Sequence, residues 1–298
     1  MSKYLIVFLF LINIVFVCAQ EFIKKIYLKK ISTGSQMLYN FMMIAGAIPI
    51  FMITLTGKIT FHLPTFCYAF LYTIAFSLAL IFTMKALMTG SMALTVIVLS
   101  FALVFPLFAG MAFFGESLSW LGWISIFLLL LAFIMIINPS GEEKKTISIK
   151  WIIYVSLATI GNGVGGIIIK FHRTQYPLIS SSEFMIIALF GVLTVCLIML
   201  LSEIRKTSRF IESPINYKGT FLATTIYGLI TGICNGVANF TSLILIEKIP
   251  LMALTLFGKG GIFILTFLVS TFVFKETMTK KQKFGFLCGV LSVILLSI

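Results

Sequence analysis

Apolar runs long enough to cross a bilayer follow one another along this 298-residue chain, separated only by short polar breaks. A helix needs about 20 apolar residues to cross about 30 Å of hydrocarbon. Ten runs approach or exceed that length, at approximately 4–20, 36–56, 65–87, 91–114, 119–138, 151–170, 179–202, 219–246, 250–274 and 282–298. No water reaches a bare amide in lipid, so each run is expected to be helical. With 60% hydrophobic and 10% charged residues, the chain also lacks the polar sequence to cover a soluble core of this size. The constraint predicts an all-α integral membrane protein, multi-pass in the cell membrane, with the lipid bilayer as its main partner.

The net charge of +13 comes from Lys and Arg residues concentrated in the connections, where they meet headgroups. No separate basic domain exists, so no nucleic acid partner is expected. The five cysteines form no CxxC pair, and His62 and His172 fall in connections without metal-ligand spacing. No cluster of His, Cys, Asp or Glu lies within the spans, so the chain is predicted to be neither an enzyme nor a metal or cofactor protein. Trp120, Trp123 and Trp151 stand at span starts, the preferred place of an amphipathic ring. Lys3, the first apolar run and Val17-Cys18-Ala19 imitate a cleaved signal peptide. A second-half counterpart of that run argues for its retention.

The counterpart belongs to an internal repeat. NFMMIA at 40–45 matches EFMIIA at 183–188, and MALT at 92–95 recurs at 252–255. FFGES at 113–117 is followed 160 residues later by VFKET at 273–277, the same offset as MALT. Residues 1–138 and 151–298 then hold five spans each, joined by a connecting loop at 139–150. An odd number of spans reverses the second half across the membrane. The prediction is ten transmembrane helices as two inverted five-helix repeats.

With these features the sequence resembles the drug/metabolite transporter superfamily, in its ten-helix form with two EamA-like domains. ALMTGSMALTVIVLSFALVFPLFAGMAFFGESLS at 86–119 and LIEKIPLMALTLFGKGGIFILTFLVSTFVFKETMT at 246–279 carry the resemblance. Gly115-Glu116 keeps the family's Gly-Glu pair, whereas Lys275-Glu276 replaces its glycine. Gly285 keeps an early glycine in the last helix, and Ser125 fills the equivalent place in the first half. The resemblance implies a solute carrier with a cavity between the two halves, working by alternating access. One chain then supplies both halves, so a monomer suffices.

An ionised side chain at bilayer depth is costly and therefore a candidate for function. Lys259, in TLFGKGGIF, follows Pro250 by nine residues, about 13 Å along a helix and near mid-membrane. Its lysine suits a substrate carboxylate or phosphate, and Gly258, Gly260 and Gly261 permit close approach or local unwinding. Thr231, Asn235, Asn239 and Ser242 share one helical face of the 219–246 span, with Tyr227 one turn away. Gly228, Gly232 and Gly236 form an adjacent small-residue stripe. Asn162 and Asn13 complete the candidate set. At each position two readings stand: contact with a small-molecule substrate, or hydrogen bonding between packed helices. Glu116, Glu183 and Glu276 read as helix-end residues.

The expected function is a secondary transporter of a small metabolite, such as an amino acid or organic anion. The alternative is an exporter of lipophilic cations or drugs, disfavoured because no carboxylate stands in mid-span to receive a cation. Charge bias and resemblance disagree on orientation. Most Lys and Arg lie on the side of the 21–35 and 203–218 connections, which would make both termini external. The resemblance implies the reverse.

Overall fold

The computed structural model describes residues 3–31, 35–55, 62–89, 95, 98–136, 148–207, 217–272 and 279–296. Most of the 139–150 connection, residues 92–94 of the first MALT, and Lys275-Glu276 lie outside the described residues. The described residues are helical almost throughout and include no strand.

In chain order the helices are α1 (Lys3–Lys30), α2 (Gln36–Ile53), α3 (Leu63–Thr89), α4 (Val104–Phe114) and α5 (Trp120–Ile136). They continue with α6 (Ile149–Gln175), α7 (Ser181–Thr207), α8 (Tyr217–Lys248), α9 (Leu251–Phe272) and α10 (Lys280–Leu296). Six of them, α1, α2, α3, α6, α7 and α8, contain segments long and apolar enough to cross a membrane. Shorter apolar stretches occupy Val98–Phe114, Trp120–Met135 and Leu251–Leu265. This is a multi-pass membrane protein. Its outer surface exposes Phe, Leu, Ile and Trp side chains, as lipid contact requires.

Two helices outrun their apolar segments. α1 continues past residue 20 to Lys30, because Tyr27 on the added turns is buried and its hydroxyl lies 3.4 Å from that of Thr224. α6 continues past residue 170 to Gln175. That extension takes His172 out of the connection expected for it and into a buried helical position.

The chain gathers into two compact units: Met1–Ser77 with His172–Ile244, and Leu78–Phe171 with Leu245–Ile298. Each unit draws on both halves of the sequence. In the first, α2 packs antiparallel to α7. Ser35 donates to Glu203 Oε2 at 3.0 Å at one end, and the hydroxyls of Thr54 and Ser182 meet at 2.9 Å at the other. α8 lies parallel to α2 along Gly228, Gly232 and Gly236. A Cβ on Gly232 would collide with the Met43 carbonyl and stand 2.9 Å from Gly46 Cα. Glycine is required there because backbone meets backbone.

In the second unit α5 packs antiparallel to α10, with the Ser292 hydroxyl donating to the Ser125 carbonyl at 2.7 Å. α4 packs antiparallel to α9 around a cluster of Leu103, Leu107, Ile126, Leu129, Met252 and Leu256. Thus α2–α7, α4–α9 and α5–α10 each join helices five apart in the chain, and each pair is antiparallel.

Candidate functional site

In the second unit the helical path of α4 is irregular. Residues 98–100 are helical, Phe101–Leu103 forms a 3-10 turn, and the α-helix resumes at Val104. A short 3-10 stretch inside a helix leaves the ordinary hydrogen-bond ladder. α6 approaches this turn closely, since a Cβ on Gly163 would stand 2.8 Å from the Ala102 carbonyl. Neighbouring Asn162 is exposed, and its amide nitrogen donates to Ala158 O of its own helix at 2.9 Å.

The 160-residue offset sets Leu99, just before that turn, against Lys259 of α9. Lys259 is exposed on the chain. A Cβ on Gly258 would meet nothing within 4 Å, although the residue itself is buried, so α9 borders open space there. Gly260 serves a different purpose, because a Cβ on it would collide with Val293 of α10.

The turn leading into α9 is held by charges suited to the helix ends they meet. Gly115 adopts φ 63°, the left-handed conformation that suits glycine, and ends α4. Glu116 then reaches the start of α9, accepting from Leu251 N at 2.6 Å and Met252 N at 2.8 Å. A carboxylate at a helix N-terminus satisfies orphan amides and opposes the helix dipole. Lys170 of α6 donates to the Ile246 and Ile249 carbonyls, at 2.8 and 3.3 Å, where α8 ends. Acid and base thus clasp opposite sides of one interhelical turn. Glu116 was legible as a helix-end residue, but the helix it caps was not.

In the first unit the polar face of α8 meets α1 and α2. Asn13 of α1 is buried and donates to Ala238 O at 2.6 Å, with the Thr241 and Ser242 hydroxyls at 3.1 and 2.8 Å. Asn235 donates to Gln20 Oε1 at 3.0 Å, and Asn239 donates to the Asn235 carbonyl and side-chain oxygen. Thr231 is buried, donates to Tyr227 O at 2.8 Å, and meets the Tyr39 hydroxyl at 2.8 Å. The Tyr227 ring lies 6.0 Å from that of Tyr27, which stacks on Tyr39 at 4.5 Å. Burial pushes the Tyr27 phenol up, partly offset by the Thr224 hydrogen bond. The α8 face predicted from spacing is therefore a continuous seam with α1 and α2, in which the amide nitrogens find partners inside the protein.

Of the predicted residues, Asn13, Tyr227, Thr231, Asn235 and Asn239 belong to the first unit, and Asn162 and Lys259 to the second. Two further polar features escaped the sequence reading. Lys85 of α3 sits over the rings of Phe82 and Tyr154, at 5.1 and 5.7 Å from their centroids. His172 is wholly buried in the last turn of α6. The only signal for it was a basic residue at a helix end, which ordinarily faces water.

No family model matches this chain, and no curated protein matches it. Among solved structures, 28 chains match. One, described only as the crystal structure of a protein, superposes with a TM-score of 0.73 over 99% of this chain and 96% of its own, at 11% identity. At that identity the likeness is one of fold alone.

Proposed function

We propose that this protein is a ten-helix, inverted-repeat secondary transporter of the kind found in the drug/metabolite transporter superfamily. It moves a small metabolite bearing a carboxylate or phosphate across the cell membrane by alternating access. The observation that carries this reading is the antiparallel pairing of α2 with α7, α4 with α9 and α5 with α10. An inverted duplication pairs equivalent helices in this way about a two-fold axis in the membrane plane.

Interrupted helices at corresponding positions of two inverted halves are a pointer to the substrate site in such proteins. Here the 3-10 turn at Phe101–Leu103 corresponds, at the 160-residue offset, to 261–263. That stretch begins at the last glycine of Gly-Lys-Gly-Gly in α9, a helix that itself runs unbroken from Leu251 to Phe272. Lys259 is the recognition residue, and the open flank of Gly258 leaves room beside it for a ligand. The chemistry is binding and release, with no bond made or broken in the substrate.

The test is uptake into proteoliposomes with a panel of amino acids, organic anions and cationic dyes. Wild-type protein is expected to move at least one anionic or zwitterionic solute. Lys259→Met should lower that flux about tenfold or more, equivalent to about 1.4 kcal/mol of lost interaction. Transport confined to cationic dyes, or anion flux unchanged in Lys259→Met, contradicts the proposal.

A further inference from the structure

His172 is wholly buried, and its ring nitrogens are unequally served. Nε2 lies 3.1 Å from the Thr65 hydroxyl, whereas Nδ1 has no hydrogen-bond partner among the described residues. Thr65, also wholly buried, stands 2.9 Å from Nδ1 of His62, the half-buried residue just before α3. One hydroxyl therefore joins two imidazoles, and a hydroxyl both donates and accepts. These are the only histidines in the chain.

Aromatic rings line the His172 imidazole. Phe184 of α7 stacks on its ring at 4.6 Å, and the rings of Tyr68 and Tyr176 lie 5.8 and 5.7 Å away. Aromatic faces attract a cation through their quadrupole. The charged groups nearby are few. Arg173, the next residue, donates to the Ile179 and Pro177 carbonyls, His62 lies beyond Thr65, and Glu183 precedes Phe184 in the first turn of α7. The Tyr68 hydroxyl donates to Gln175 at 2.8 Å. A histidine kept for packing would pair both nitrogens or be replaceable by an apolar ring, because a buried polar atom without a partner is destabilising.

We infer that His172 is a proton-binding site, loaded from His62 through the Thr65 hydroxyl, and that it couples transport to the proton gradient. Doubly protonated His62 gives its Nδ1 proton to Thr65 Oγ1 while the Thr65 hydroxyl proton passes to His172 Nε2. Two protons each shift by one bond for a net transfer of one, so His62 becomes neutral and His172 becomes the cation within its aromatic box. Histidine is suited to this because either ring nitrogen can bind or release a proton. The coupling half of the inference rests on the transporter reading; the proton site does not.

The test begins with NMR of histidine-labelled, full-length protein in detergent micelles, where two imidazoles give two sets of signals assigned with His62→Gln and His172→Gln. His172 should titrate, and Thr65→Val should slow or displace its transition. A His172 signal fixed in one protonation state at every pH at which the protein stays folded overturns the site. In proteoliposomes, an imposed pH gradient should drive solute accumulation several-fold in wild type and not in His172→Gln. A titrating His172 in a protein that moves no solute removes the transporter reading and leaves the proton site standing. Solute flux indifferent to the pH gradient overturns the coupling and leaves the transporter reading standing.

Discussion

Gly232 of α8 and Gly258 of α9 are both buried helical glycines, and their surroundings are opposite. A Cβ on Gly232 would strike the Met43 backbone, whereas one on Gly258 would meet nothing within 4 Å. The polar residues around them divide likewise. Near Gly232, the Asn13, Asn235 and Asn239 amides donate to neighbouring groups along the α1–α8 seam. Beside Gly258, Lys259 is exposed in the middle of an apolar helix. Polarity within a membrane span thus serves two ends here. Where α1, α2 and α8 touch, it holds helices together; where α9 borders open space at Gly258, a lysine is exposed.

The largest effect expected from this contrast is at the close contact. Gly232→Val forces α2 and α8 apart and should cost about 3 kcal/mol or more. It would be read as loss of the monodisperse peak and of the thermal transition in detergent. Gly258→Ala should leave that transition in place or raise it slightly, since alanine favours helix over glycine by about 1 kcal/mol. Equal damage from both changes would erase the distinction.

Glu116→Ala removes both acceptors from the start of α9 and should destabilise by about 2 kcal/mol. Thermal unfolding in detergent checks this. No effect would mean that the Gly115-Glu116 turn does not hold the α8–α9 connection. Asn13→Ala should cost less, about 1 kcal/mol, because hydrogen bonds between membrane helices are individually modest. Measured per folded molecule, solute flux should persist in Asn13→Ala. A variant of full stability that lost flux would move Asn13 from the seam to the substrate.

Much of this architecture was legible in the sequence because lipid imposes a simple rule on length and polarity. The apolar runs marked the helices, and the Gly228, Gly232 and Gly236 stripe marked a close contact. Spacing could place Thr231, Asn235 and Asn239 on one face, but it could not say that α1 and α2 cover that face. The partner lies some 200 residues away in the chain, as the Asn13 to Ala238 bond shows. His172 was hidden for a related reason. A basic residue at the end of an apolar run reads as solvated, and only Thr65 and Phe184, from two other helices, reveal its burial. The extension of α1 to Lys30 depends similarly on Tyr27 finding Thr224.

The central claim is that the flank of α9 at Gly258 opens to each side of the membrane in turn. Cysteine accessibility of Gly258→Cys tests it most directly, in a background where exposed Cys67 is replaced and the four buried cysteines remain. A charged, membrane-impermeant thiol reagent would be applied to right-side-out and inside-out vesicles. The account predicts labelling from both sides, at rates that change when a transported solute is present. Labelling from one side alone, at a rate no solute alters, would contradict it.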